Sequence, residues 1–584
     1  MPRPDTDAAE KSRYQRAMAD ESQPDDVFRR AVQLQREGRL EDAAAAYGEV
    51  ARRQPDRAAA HANLGTVLWR LGRLEAALQA LDAAVRLAPM EAGVHVVRGV
   101  VLRALGRPEA AAESHRRALA LRPDDADALG KLGNALRDLG RPDEALGAFD
   151  RAVTLKPDDP ALHNNRAGAL VELGRLGDAL AAHDRALALK PDFAEAHNDR
   201  GIALAGLDRL EEAVEAYRQA VALRPAFAMA WNNLGAALRR LRRYEAAISA
   251  FDQALAARPD YPEAAANRSY CLLTLGRFAE GWAGYERRWG APDFRAECSA
   301  HVSPALQARL EPEVTGADLA GAEVLVVGEQ GVGDVIMFAS ALPDLLRIAG
   351  RVSLIADPRL ARLFAYAFPE LEILPHGADP GARRVVAIGS LGRLFRHKWQ
   401  DFPGTPYLQA PPEARARWAD RRGPRGGVRR IGISWRGGTP KTGGAARSVA
   451  LEALSPVLDL PGCEIVSLQY GDVPAEVAAA AERLGRSIRL FPRAEIDDFA
   501  ELAALIAHMD LVVSVQNTTV HLAGALGAPC LGLVPASPEW RYLDAGERMP
   551  WYGSVQLIRQ EVPGEWARAI AEAARVARER LAEA

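Results

Sequence analysis

The stretch "VLVVGEQGVGDVIMFASALP", Val324 to Pro343, decides how the second half of the chain folds. Four apolar strand formers run into a glycine-rich turn, and a helix-like apolar pattern follows. That is the sequence form of the first turn of a nucleotide-binding α/β domain. Such a turn either holds a cofactor's phosphates or sets an acidic side chain, here Asp334, at the mouth of a site. A P-loop needs GxxxxGK[ST], and no lysine followed by Ser or Thr stands here. A dinucleotide fingerprint needs GxGxxG, whereas Gly328, Gly331 and Gly333 are spaced GxxGxG. Asp357, closing the next strand, has the look of a dehydrogenase's ribose-binding acid, but the glycine spacing argues against that reading.

Outward from this turn, short β-branched runs alternate with amphipathic helices: "EVLVVG", "RVSLIAD", "RRVVAIG", "RRIGISW", "CEIVSLQ", "DLVVSV" and "PCLGLV". Strands alternating with helices predict parallel sheets covered on both faces. The polar run "RARWADRRGPRGGVRR" near residues 415 to 430 divides the region. The expectation is therefore two Rossmann-like lobes, 321–414 and 429–584, joined by a linker at 415–428. The strand ends facing the cleft between them are where a ligand should sit. A segment rich in Pro, Ala and Gly, 291–320, links these lobes to what precedes them.

The first half carries a repeat. Pro55, Pro89, Pro123, Pro157, Pro191, Pro225 and Pro259 recur every 34 residues. Gly65, Gly99, Gly133, Ala167, Gly201 and Gly235 keep the same register, as do Ala77, Ala111, Ala145, Ala179, Ala213 and Ala247. Small residues at fixed places in two successive helices let the helices cross closely, and proline ends the second. Gly38, Gly72, Gly106, Gly140 and Gly174 mark the turn inside each repeat, replaced by Asp208 and Arg242 and restored at Gly276. The pattern resembles tetratricopeptide repeats over about residues 25 to 290, which implies an α-solenoid with a concave groove. Two before the helix-crossing small residue stand Asn63, Val97, Lys131, Asn165, Asp199, Asn233 and Asn267. The resemblance puts that register on the groove, where side-chain amides can grip a peptide's main chain; Val97 and Lys131 interrupt it, and a wet polar helix face is the competing reading. The last repeat ends in "GRFAEGWAGYERRW", whose Trp282, Tyr285 and Trp289 predict packing against the following domain, as a solenoid end needs a cover.

Composition narrows the class. A net charge of −3 with 26% charged residues gives no pull toward nucleic acid or anionic membrane. The four cysteines are far apart with no CxxC, so neither a disulfide framework nor a zinc knuckle is indicated, and a reducing cytoplasm fits. No uninterrupted apolar run reaches the ~18 residues of a transmembrane span. Residues 1–24 are polar enough to be read as a loose tail.

The Val324–Pro343 segment also resembles the GxGD turn of the heptosyltransferase-like glycosyltransferases, family 9. "GISWRGGTPKT" with "RSVALEAL" is similar to the strand and basic loop opening that family's donor domain, and "SVQNTTVHLAGALGAP" to its strand-to-helix turn with a histidine. "RMPWYGSVQLIRQ" and the "GWAGYERRW" solenoid end resemble versions fused to tetratricopeptide repeats. The resemblance implies a two-lobed GT-B-like enzyme of inverting type, with the first lobe on the acceptor side and the second on the donor side. It implies a cytoplasmic bacterial protein without a cofactor, using a nucleotide-sugar co-substrate and an acceptor, which can be a protein, recruited by the solenoid.

Sugar transfer needs a base for the acceptor hydroxyl, positive charge for the leaving phosphates and a pocket for the nucleoside. The resemblance gives the base role to Asp334, a residue that could instead cap the following helix. Arg436 and Lys441 follow the strand "IGISW" and can meet the diphosphate, with Arg447 further along the same loop. No DxD motif stands in this half, so a metal-independent reaction is expected, with no metal ligands. Thr518 and Thr519 open a helix whose first amides suit an anion, and His521 lies one turn inside it. Gln516 stands where the family often has an acid; its amide can bind a sugar or ribose hydroxyl, or its presence marks a reduced activity. Gln469, closing "CEIVSLQ", is a nucleoside-contact candidate. The rival reading is a catalytically inactive scaffold whose transferase-like half serves as a docking module.

Overall fold

The computed structural model describes residues 23–298, 302–422, 427–438 and 444–583. The expected tail therefore lies, as far as residue 22, outside the described residues, as does Lys441. Two compact units divide the chain at Pro225/Ala226.

The first unit is a solenoid of antiparallel helix pairs running from Pro24–Arg36 and Leu40–Arg53 to Ala194–Gly206 and Leu210–Leu223. The 34-residue register is explained by side-chain contacts. Each helix-crossing glycine faces the residue sixteen further on: a Cβ on Gly133 would lie 2.6 Å from the Phe149 ring, and one on Gly99 would lie 2.4 Å from the His115 ring. A side chain at either position would push the helices apart, while Ala111 and Ala145 are completely buried beside them. His115 takes the aromatic's place in its repeat, and neither ring nitrogen has a partner among the described residues. Burial pushes its pKa down to about 4.

The second unit begins with two more pairs, Ala228–Arg240 with Tyr244–Ala257 and Pro262–Thr274 with Phe278–Tyr285. The last helix is cut to 8 residues and passes into a 3-10 turn, Glu286–Gly290. Trp282 and Tyr285 therefore share a face, but Trp289 leaves it and packs on Phe294 instead. Trp282 is fully buried, donates its Nε1–H to the Arg396 carbonyl at 2.6 Å, and meets Trp540 edge-on at 5.6 Å. Packing against the following domain is thus what covers this end of the array. At the turn inside these repeats, Arg242 sits at φ 59°, left-handed backbone that the equivalent glycines adopt freely.

Two sheets follow. The first is parallel, in the order β3 (Leu371–Leu374), β2 (Arg351–Ile355), β1 (Glu323–Val327), β4 (Arg384–Ala387). The second contains β5 (Arg429–Ser434), β6 (Cys463–Ser467), β7 (Ile488–Arg489), β8 (Leu511–Val515), β9 (Cys530–Val534), β10 (Arg548–Met549) and β11 (Tyr552–Arg559). Its order is β10-β11-β9-β8-β5-β6-β7, parallel except for the β10–β11 hairpin. In each sheet the strand order reverses beside the first strand, at β1/β4 and β5/β8, and such switch points are where α/β sheets bind ligands. The fold is an α-solenoid followed by a mixed α/β region of two Rossmann-like sheets consistent with a GT-B-like architecture. Two segments read as linkers are partly helical: Pro292–Cys298, Pro304–Gln307 and Gly316–Leu319 lie within 291–320, and the helix Pro412–Arg422 runs into 415–428. Their Pro- and Arg-rich composition hid short helices that are capped locally, as Ser303 and Thr315 do.

Candidate active site

The glycine-rich turn after β1 is fixed from the solenoid side. Glu329, buried, accepts from Arg288 Nη2 at 3.1 Å, from the Gly389 amide at 3.2 Å and from Gln330 Nε2 at 3.0 Å. Arg288, 1% exposed, belongs to the "ERRW" that ends the array, and Glu286 of the same motif accepts from the Ser390 hydroxyl at 2.8 Å. Gln330 also donates to Tyr285 Oη at 2.8 Å. The repeat end and the turn are therefore one buried polar network.

That network aims the helix Val332–Phe338 across the gap between the sheets. Gly331 is its N-cap and Asp334 its third residue, so Asp334 does not cap it. A Cβ on Gly333 would lie 3.2 Å from His521 Cδ2 and 3.3 Å from Thr518 Oγ1. The last glycine of the GxxGxG turn thus lets this helix approach the start of the helix Thr518–Leu526, which follows β8. The turn brings Gly331, Val332, Gly333 and Asp334 to the wall of a cavity at the carboxyl ends of β1 and β8.

The cavity encloses about 350 Å³, within the usual range for small-ligand sites. Asp334 contacts Arg541 directly; Arg541 Nη1 reaches Glu539 at 3.0 Å, and Arg447 Nη1 reaches the other Glu539 oxygen at 3.3 Å. Burial raises the Asp334 carboxyl above the ordinary aspartate value, with Arg541 working in the opposite direction. The loop bearing Arg541 is held by carbonyls: Arg559 on β11 donates to those of Tyr542 at 2.6 Å, Leu543 at 3.0 Å and Gly546 at 2.7 Å. Arg242 binds Asp544 of the same loop at 2.8 Å, which offsets its unfavourable backbone.

His521 lies between two phenols, Nδ1 at 3.2 Å from Tyr552 Oη and Nε2 at 3.1 Å from Tyr542 Oη. Burial, with Arg541 nearby, drives its pKa down to about 3, so it is neutral, donating to one tyrosine and accepting from the other.

Gln516 and Asn517 are consecutive but opposite in character. Asn517 accepts from Ser514 Oγ at 2.9 Å and from the Thr519 amide at 2.9 Å, and donates to Ser434 Oγ at 2.6 Å and the Arg436 carbonyl at 3.0 Å. It stitches β5 to the turn after β8. Gln516, 2% exposed and lining the cavity, has no partner for either amide atom among the described residues. A buried amide left unmade is costly, and a ligand that supplies a donor and an acceptor recovers the cost.

Of the sequence-derived candidates, the cavity wall contains Asp334, Gln516, Thr518 and His521, together with Arg447. Thr519 is buried behind Thr518, its hydroxyl without a partner among the described residues. Arg436 points elsewhere, to Glu476 at 2.5 Å and the Asp472 carbonyl at 3.2 Å. Gln469 lies beneath the wall, accepting from Ser434 Oγ and the amides of Trp435 and Arg436 at 3.0, 2.9 and 2.8 Å. It shapes the end of β5, while the next residue, Tyr470, lines the cavity and stays 41% exposed. Arg541, Glu539, Arg359 and Tyr470 were not found from sequence; Arg359 and Arg541 lie in the 3-10 turns Pro358–Leu360 and Trp540–Tyr542, Glu539 and Tyr470 in loops, all without motif spacing, and Arg541 carries only the signal of a cation next to tryptophan in "EWRY".

The groove candidates are spread over both units. Asn63 hydrogen-bonds Tyr47, and Asp199 accepts from Asn164 Nδ2 at 3.2 Å and Asn198 Nδ2 at 3.0 Å. Asn165 is half-buried in the same unit. In the second unit Asn233 is half-buried and Asn267 Nδ2 lies 3.4 Å from Asn232 Oδ1. No helix among the described residues is long and apolar enough to cross a membrane.

The family models agree with this architecture. Tetratricopeptide repeat models match residues 28–92, 96–160, 204–262 and 232–291, and a further repeat model matches 167–208. The model described as glycosyltransferase family 9 (heptosyltransferase) matches residues 466–559, which include Gln516, His521 and Arg541 and leave Asp334 outside. Protein FlbA of Caulobacter vibrioides is 33% identical over 315 residues, 49% of this chain and 50% of that protein, so the chain spans about half the length of this relative. Among solved structures, MamA is similar at 24% identity and a TM-score of 0.26, covering 28% of this chain and 94% of its own. A tetratricopeptide repeat protein from Parabacteroides merdae is similar at 16% identity and a TM-score of 0.38, covering 43% of this chain and 98% of its own. The chain carries tetratricopeptide repeats and, near its C-terminus, a heptosyltransferase-family glycosyltransferase domain.

Proposed function

We propose that this chain transfers a sugar from a nucleotide-sugar donor to a protein acceptor, in a metal-independent single displacement that inverts the anomeric carbon. The observation that carries the reading is the contact of Asp334 with Arg541 in a cavity at both switch points, beside a buried Gln516 amide without a partner among the described residues. Asp334 takes the proton of the acceptor hydroxyl as its oxygen bonds to the anomeric carbon. The bond from that carbon to the diphosphate breaks with its electron pair on the phosphate oxygen. Arg541 and Arg447 receive the growing charge, exchanging their carboxylate partners for phosphate oxygens. Thr518, at the start of its helix, adds a hydroxyl at a positive helix end. Gln516 binds a hydroxyl pair of the sugar or ribose, and Tyr470 offers a flat face to the base.

His521 is a positioning residue in this scheme: neutral and held by two phenols, it keeps the second helix close to Gly333. The test is transfer and hydrolysis with a panel of UDP-, GDP-, CMP- and ADP-sugars, comparing wild type with Asp334→Asn. Turnover by wild type and its loss in the variant, with nucleotide binding kept by both, supports the reading. Absence of both turnover and nucleotide binding in wild type would establish the inactive scaffold instead.

A further inference from the structure

A second cavity, of about 410 Å³, lies against the first. Arg447, Glu539 and Arg541 line both, and the consecutive Gln330 and Gly331 line one each. The partition between the cavities is thus the same chain of ion pairs that ends at Asp334. A group entering the second cavity meets a wall whose other face bears the carboxylate assigned as base.

Much of the remaining wall comes from the repeat array, with Ser537, Pro538 and Trp540 beside it, and differs in chemistry from the first cavity. Arg239 and Arg240 end the helix Ala228–Arg240, Tyr244 begins the next, and Tyr270 and Thr274 lie on Pro262–Thr274. Among the described residues of the lining the only acid is Glu539, which already bridges two arginines. Arg239 Nε is buried with no partner among the described residues. The lining is therefore cationic, rich in phenols and hydroxyls, and without a broad apolar face of the kind a lipid chain needs. It is also preformed: Tyr270 meets Tyr285 edge-on at 6.0 Å, and Tyr285 meets Trp540 at 6.0 Å, so little ordering cost remains on binding.

We propose that this cavity is the acceptor entrance, and that it takes a Ser- or Thr-bearing peptide segment flanked by acidic residues. The proposal rests on the transferase reading of the neighbouring site. Flanking carboxylates pair with Arg239 and Arg240, the main chain bonds to the phenols and to Thr274, and the hydroxyl reaches Asp334 once Arg541 and Arg447 leave Glu539 for the donor's phosphates and open the partition. Tetratricopeptide walls suit a polypeptide ligand better than a free sugar.

The test uses the full chain and two separate readouts. Arrayed heptapeptides with a central Ser or Thr, flanked by Asp and Glu, by Ala, or by Lys and Arg, measure peptide retention. Titration with UDP, GDP, CDP and ADP measures the first cavity. The expected result is selective retention of the acidic set. That retention should fall at least about tenfold in the double variant Arg239→Ala/Arg240→Ala and in Ser537→Trp, which plugs an exposed rim position, with nucleotide binding unchanged. Equal retention of acidic and basic sets, or retention that survives both variants, overturns the proposal. If wild type binds no nucleoside diphosphate while acidic peptides are still held through Arg239 and Arg240, the transfer reading fails and this site stands.

Discussion

Arg541 and Asp334 touch across the gap between two sheets, each the other's nearest opposite charge, and both line the same cavity. Replacing Asp334 with Asn removes the proton acceptor and keeps the shape. Transfer should fall by about 10²- to 10⁴-fold, the usual worth of a general base. Nucleoside diphosphate binding should be equal or tighter, because Arg541 loses a competing anion. Single-turnover kinetics with calorimetric titration separates the two.

The same pair fixes the acid side of the pH profile. A base must be ionised to act, and burial raises the Asp334 pKa, so activity should rise with pH along a limb lying above the ordinary aspartate range. Arg541 holds that value down; in Arg541→Gln the limb should move to higher pH as kcat falls. His521, with its pKa near 3, stays neutral over this range and contributes no limb of its own. A limb in Arg541→Gln that stays in place would remove Asp334 from the base role.

Gln516 offers a test in which stability and function move in opposite directions. Both amide atoms lack a partner among the described residues, so Gln516→Leu should leave the thermal midpoint unchanged or raise it, since no hydrogen bond is lost. Donor binding should weaken by about 1–3 kcal/mol. A variant that loses stability and keeps affinity would show the amide to be structural.

Arg288 is a stability prediction. It is 1% exposed and faces both Glu286 and Glu329 at 3.1 Å, so Arg288→Met leaves two buried carboxylates without their cation. Removing one member of a buried ion pair costs about 3–5 kcal/mol. Denaturant unfolding should show this loss, together with lower transfer activity, because Glu329 fixes the turn that carries Asp334.

His115 predicts acid sensitivity in the first unit. Its folded pKa of about 4 lies below the ordinary histidine value near 6.5, so the unfolded chain binds the proton more readily. Its contribution is complete above pH 6.5 and declines as pH falls toward 4, by at most about 3 kcal/mol. His115→Phe places there the ring that repeats carry at Phe149 and Phe251. It should raise the thermal midpoint and flatten its dependence between pH 4 and 6.5.

The repeat was legible in its period because its physics is local: a fixed spacing, a small residue at each helix crossing, a left-handed turn; the shortened last helix that moves Trp289 off the shared face was not. Even its exceptions were visible, as Asp208 and Arg242 adopt the backbone of the glycines they replace, at φ 61° and 59°. The two sheets were legible from most of their strands, though β3, β7 and β10 are too short and mixed to register, and the 8-residue β11 was missed because Gly553, Ser554 and Gln556 interrupt its apolar run. The site was half legible. Asp334, Thr518, His521 and Gln516 lie within turns that follow strands, where pattern fixes position. Arg541 and Tyr470 owe their places to the irregular connections after β9 and β6; the course of the first depends on contacts such as Arg559 with four carbonyls and Arg242 with Asp544. Arg436 and Gln469 illustrate the converse. Each follows a strand end in the expected place, yet one turns toward Glu476 and the other toward backbone amides, and side-chain direction is not carried by spacing.

Because Trp282, Arg288 and Arg242 are anchored in the transferase half, its working boundary lies inside the repeat array, near residue 226, and not where the periodicity stops. A fragment begun at residue 321 would leave Glu329 without its cation and Trp540 without its neighbour.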